Sequence, residues 1–189
     1  MNKVLRGKVW RYEGIMDVDG DIIGRGGNRM PPGTSAEERL KRYAERCLTS
    51  VDPDFPKKVH KGDFVVGGPG FGYGHDHEQA CLALIGCGVG AVLTEAANAN
   101  FKRNSIAFGL PVAGVKGIMS ATKTGDELEV DLVKGTVKNI TKGKTLSFTP
   151  FPKYILEILE AGGVNPLVEK RVKAGLYGAK KIPVGAKRK

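Results

Sequence analysis

The sequence predicts an α/β fold: a parallel β/α core, then an antiparallel ribbon, then helices toward the C-terminus. Two observations carry this. Between Asp63 and Val115, apolar strand-like runs alternate with helical stretches that glycines close. From Asp126 to Phe148, short alternating segments are split by Lys134-Gly135 and by Gly143, the texture of hairpins.

In chain order, "LRGKVWRYEG" alternates and carries Val4, Val9, Trp10 and Tyr12 in and beside it, so it reads as the opening strand. "DVDGDIIGRGGNRMPPGTS" reads as a long glycine-rich loop, and a loop of that length inside a domain is often functional. Ser35 caps the first helix, with Glu38 completing a capping box and Leu40, Tyr43, Ala44, Cys47 and Leu48 as its apolar stripe. "DFVVGG" (Asp63 to Gly68) is a buried strand, followed by a histidine-bearing loop and a helix from about Asp76 to Cys87. "AVLTEA" is the next buried strand, "NANFKRNSIAF" a helix stopped by Gly109, and "LPVAGV" a third strand. Strand, helix, strand, helix, strand in that order implies parallel pairing with right-handed crossovers. "PKYILEILEAGG" is a helix with proline at its start and Gly162-Gly163 at its end, and "NPLVEKRVKAG" is a final one.

The totals narrow the function classes. The chain has 189 residues and is 41% hydrophobic, enough for a core. No apolar run reaches the roughly 18 residues of a membrane span, and "MNKVLRGKVWRYEG" lacks the apolar centre of a signal peptide. Cys47, Cys81 and Cys87 form no CxxC pair, which suits reduced thiols in a cytoplasmic protein and does not supply the four ligands of an iron–sulfur cluster. The net charge is +10, but eight Lys/Arg and no acid lie between Lys170 and Lys189. We therefore read residues 1–177 as one domain and 178–189 as a basic, flexible tail. That tail lacks the aromatic residues of a nucleic-acid stacking platform. Neither nucleic acid nor a membrane is an expected partner.

The stretch "GFGYGHDHEQA" (Gly70 to Ala80) holds two of the three histidines of the chain. Its alternating glycines permit positive φ and close backbone approach, and it precedes a helix N-terminus, where peptide dipoles favour an anion. Gly72, Gly74, Asp76 and His77 are therefore candidate ligands for a carboxylate. Asp76 with Gln79 also resembles a capping box, and Glu78 suits the first helical turn. His75 and His77 are candidates for proton transfer near neutral pH; the alternative is two solvated loop histidines. His75-x-His77 with Glu78 and Cys81 offers zinc-type ligands, but Cys81 falls a turn into the helix and faces the core, so no metal is assigned. His60, in "KKVHKGD", reads as a solvated loop residue.

Four blocks in this order resemble the small subunit of isopropylmalate isomerase, which corresponds to the swivelling domain of aconitases. They are "DGDII" (Asp19 to Ile23), "FPKKVHKGDFVVGGPGFGYGHDHEQA" (Phe55 to Ala80), "GVGAVLTEAANANFKRNSIAFGL" (Gly88 to Leu110) and "TPFPKYILEILEAGG" (Thr149 to Gly163). The resemblance runs from about Gly7 to Arg171, and several blocks at matched spacing are far more specific than one glycine motif. It implies a swivelling β/β/α domain and one half of a hydro-lyase acting on a hydroxy-acid. In that family a large subunit carries a 4Fe–4S cluster, and the small subunit binds no cofactor of its own.

The departures from the family fall where it does its chemistry. Its "GSSRE" loop, with a serine base and a carboxylate-holding arginine, is replaced by His75, Asp76 and His77 before Glu78. Its "SFAR" becomes Ala96-Ala97-Asn98-Ala99, and its "DTD" becomes Asp19-Gly20-Asp21. The resemblance therefore implies His75 at the catalytic-base position, His77 in place of the arginine, and Arg25 or Arg29 as the substrate-recognising arginine of the early loop. Two arginines fewer imply a substrate with less negative charge than citrate or isopropylmalate, or one bearing a polar or basic group, with Glu95 beside the altered segment as a contributor. A non-catalytic binding or regulatory homologue of the same fold, able to self-associate, is the alternative.

Overall fold

The strand Val4–Tyr12 (β1) sits in the middle of the sheet because it pairs on both sides: parallel with β2 (Phe64–Phe71) and antiparallel with β5 (Glu127–Asp131). The computed structural model describes residues 3–24, 30–75 and 77–176. The expected tail at 178–189 lies outside them. After β1 come α1 (Ala36–Arg46) and α2 (Phe55–Lys58), then β2, α3 (Glu78–Gly86), β3 (Ala91–Ala97), α4 (Ala99–Ala107), β4 (Val112–Gly114) and α5 (Ile118–Ala121). The chain continues through β5, β6 (Thr136–Asn139), β7 (Lys144–Ser147), α6 (Lys153–Ala161) and α7 (Val164–Lys173).

The seven strands form one sheet in the order β4-β3-β2-β1-β5-β6-β7. The β1–β4 half is parallel and the β5–β7 half is antiparallel, as the two textures of the sequence predict. Period-2 alternation divides the core between the two faces. Val65 and Val92 point into a cluster with Tyr43, Leu48, Phe55, Leu84 and Phe101, beneath α1 and α3. Phe64, Val66 and Leu93 point into the other, with Ile118, Leu128, Val130 and Leu159.

Three expectations shift. The early segment is not all loop, because Asp17 Oδ1 accepts from the N–H groups of Asp19 (2.9 Å) and Gly20 (2.6 Å) and caps a π-helical turn over Val18–Ile22. Buried Val18, Ile22 and Ile23 anchor that turn, and Leu48 N–H donates to Ile22 O at 2.9 Å. At α1, Ser35 Oγ accepts from Glu38 N–H (3.2 Å), but the Glu38 carboxylate turns outward to Arg42 Nη2 (2.8 Å). The helix expected from Asp76 begins at Glu78, with His77 at the N-cap position and no side-chain cap. The His77 ring is engaged elsewhere, as described next.

Candidate active site

The segments 13–23 and 72–75 leave the C-terminal ends of neighbouring parallel strands, β1 and β2. Ligand sites of α/β sheets lie at that edge. Backbone bonds tie the two loops together: Val18 N–H donates to Tyr73 O (2.8 Å), and Gly72 N–H (2.9 Å) and Tyr73 N–H (3.1 Å) to Met16 O. Asn98 N–H, at the end of β3, donates to Phe71 O at 2.9 Å. Asn98 Oδ1 then caps α4 by accepting from Asn100 N–H at 2.9 Å.

The glycines build the loop from within. A Cβ on Gly72 (φ +78°) would lie 2.3 Å from the Phe101 ring, and one on Gly74 (φ +98°) 2.3 Å from Asp17 Oδ2. Gly72 N–H is already spent on Met16. These residues let the two segments approach each other.

Asp19 bridges both histidines. Its Oδ2 accepts from His75 Nδ1 at 2.6 Å and its Oδ1 from His77 Nδ1 at 2.7 Å. The imidazoles stack, with centroids 5.6 Å apart and planes 15° from parallel. His75 is the exposed member, its side chain 78% accessible, whereas His77 and Asp19 are half-buried. Burial pushes the Asp19 carboxyl up, but the hydrogen bonds and charge of His75 and His77 outweigh it and hold it below the usual carboxylate range. Among the described residues, neither Nε2 has a protein partner. The cluster therefore leaves two ring nitrogens without a partner among the described residues, and an imidazole nitrogen can accept or donate a proton.

Asp76, Arg25 and Arg29 lie outside the described residues. His60 is exposed and faces Asp63 on another edge. Cys81 is buried against Ser105 Oγ (3.2 Å), as its helical position predicts. Among the described residues no three His, Cys, Asp or Glu stand together as metal ligands, and no disulfide joins Cys47, Cys81 and Cys87. This chain's described residues do not fit an iron–sulfur cluster. No helix among them is long and apolar enough to cross a membrane. Sequence reasoning missed Asp19 as a partner of the histidines; three acids in five residues, Asp17, Asp19 and Asp21, were its only local signal.

No protein-family model matches the chain. It is 40% identical over 172 residues to the isopropylmalate/citramalate isomerase small subunit of Methanocaldococcus jannaschii, covering 91% of this chain and 98% of that one. It is 36% identical to the 3-isopropylmalate dehydratase small subunit of Caldicellulosiruptor bescii, covering 90% of this chain and 98% of that one. The crystal structure of the 3-isopropylmalate dehydratase LeuD of M. jannaschii superposes with a TM-score of 0.79 at 30% identity, covering 92% of this chain and 98% of that one. At 36–40% identity over about 90% of its length, the chain belongs to the 3-isopropylmalate dehydratase small-subunit family.

Proposed function

We propose that this chain is the small subunit of a cytosolic hydro-lyase, assembled with a large subunit that carries a 4Fe–4S cluster, and that it acts on a small hydroxy-acid. The reaction removes a proton from a carbon next to a carboxylate and a hydroxyl from the adjacent carbon. The partner's cluster would supply Lewis-acid chemistry for the hydroxyl. This chain's own contribution is proton transfer and substrate orientation.

The observation that carries the reading is the exposed His75 ring at the C-terminal edge of β2, its Nδ1 bound to Asp19 and its Nε2 open. An imidazole so held accepts the substrate proton at Nε2. His77, protonated, would pair with a substrate carboxylate in place of the family's arginine. Asp76 and an early-loop arginine, Arg25 or Arg29, complete the substrate contacts in this reading. Exposed Ile15 and Tyr73 sit on the same two loops and suit burial beneath a closing partner. Imidazoles where the family has hydroxyl and guanidinium suit a substrate less anionic, or more polar, than isopropylmalate.

The test is reconstitution with the cognate large subunit and a screen of hydroxy-acids by ultraviolet absorbance of the alkene. His75→Ala should lower kcat by about 10²-fold or more, the usual worth of a general base. Activity within twofold of the parent would remove His75 from the reaction.

A further inference from the structure

We propose that Asp19 is a positioning residue that locks His75 and His77 together in the Nδ1–H form, so that both Nε2 atoms face the substrate side. The role in turnover rests on the dehydratase reading above; the geometry does not. An ionised carboxylate has no proton to give, so both ring Nδ1 atoms must be the donors in the 2.6 Å and 2.7 Å contacts. A neutral imidazole that donates from Nδ1 carries its lone pair on Nε2. One carboxylate thus fixes the tautomer of two rings, and orienting a base in this way is a recurrent device.

The arrangement differs from a chance surface ion pair in how Asp19 is held. Its N–H donates to Asp17 Oδ1 at 2.9 Å, and Asp17 N–H donates to Asp21 Oδ2 at 2.8 Å. Backbone bonds from Val18 to Tyr73 and from Tyr73 to Met16 then fix this turn against the histidine loop. The near-parallel stacking follows, because both rings reach one carboxylate from the same loop. The rings differ in exposure, His75 being open to solvent and His77 half-buried, so His75 is the one a substrate reaches first.

The experiment uses the full chain labelled with 15N-histidine, and reads ring tautomers from two-bond 15N–1H correlations above the pH at which the rings are neutral. His75 and His77 should both report Nδ1–H. Asp19→Asn should convert at least one of them to Nε2–H, because an amide presents one acceptor and one donor; His60 should not change. Both rings in the Nε2–H form in the parent would overturn the proposal, whatever the variant's fold. With the large subunit, Asp19→Asn should lower kcat at least about tenfold while still assembling. A changed tautomer with kcat within twofold would overturn the role in turnover. Parent rings in the Nδ1–H form, lost in Asp19→Asn, with no dehydratase activity from the parent complex on any hydroxy-acid, would keep the clamp and overturn the dehydratase reading instead.

Discussion

Gly74 faces Asp17 so closely that a Cβ at Gly74 would sit 2.3 Å from the Asp17 Oδ2 atom. Asp17 is the cap of the turn that carries Asp19, so the glycine controls how near the histidine loop can come to its carboxylate. Gly74→Ala meets both this clash and a φ of +98°, which costs a residue with a side chain about 1–3 kcal/mol. Urea denaturation should show that loss. The Nδ1–H signature of His75 should weaken with it. A variant of parental stability would mean that the two loops are not held at this spacing.

Asp63 and His60 form a contrasting pair. The buried Asp63 carboxylate accepts from Lys8 N–H (2.9 Å), Trp10 Nε1 (3.0 Å) and His60 N–H (2.9 Å), joining β1 to the turn before β2. Asp63→Ala strands these donors at about 1–3 kcal/mol for each one left dry. Trp10 fluorescence should report a lowered unfolding midpoint. The His60 ring contributes little, being 83% accessible with Nδ1 3.9 Å from Asp63. His60→Ala should stay within about 0.5 kcal/mol of the parent and leave turnover unchanged.

Asp126 makes stability depend on acid. Burial pushes its carboxyl up, but Lys142 Nζ (2.8 Å), Asn139 Nδ2 (2.8 Å) and Lys123 N–H (2.8 Å) outweigh burial and hold it below the usual range. A carboxyl depressed in the folded state stabilises fully above its unfolded pKa, about 3.9, and loses that contribution as pH falls through the lower folded value. Asp126→Asn should therefore cost about 1–3 kcal/mol at neutral pH. The gap to the parent should narrow steadily below about pH 4. A constant gap from pH 7 to pH 2 would mean that the ionised form is not what Lys142 and Asn139 recognise.

The legible parts of this fold are those whose signal is local. Val65 and Phe64 alternate between faces, Gly135 and Gly143 punctuate the ribbon, and Ser35 stands one residue before α1; each can be read within a few residues. The short α2 and α5 were not legible, because four residues carry no periodicity. The histidine pair stood out by composition, but its partner did not. Asp19 lies 56 residues before His75, and only the parallel register of β1 and β2, with Tyr12 opposite Gly67, brings their two loops out at one edge. The Asp17 cap hid in the same way, since a side chain that organises its own backbone looks like any acid in a loop.

Glu95 shows the converse, a residue whose sequence neighbourhood suggested substrate tuning and whose side chain does structural work. Its Oε2 accepts from Gly117 N–H (2.8 Å) and its Oε1 from Met119 N–H (3.1 Å), so it caps α5 from the end of β3. Gly117, at φ +83°, turns the chain so that both amides face the carboxylate. Both carboxylate oxygens are thus engaged in the cap, a structural use that competes with the expected role in substrate choice. Glu95→Ala should cost about 0.5–2 kcal/mol, the range for losing a helix cap. Glu95→Gln, with a single acceptor oxygen, should fall between the two. Denaturation midpoints would rank the three proteins, and the order of preference among hydroxy-acids should be the same in all of them. A changed order would return Glu95 to the active site.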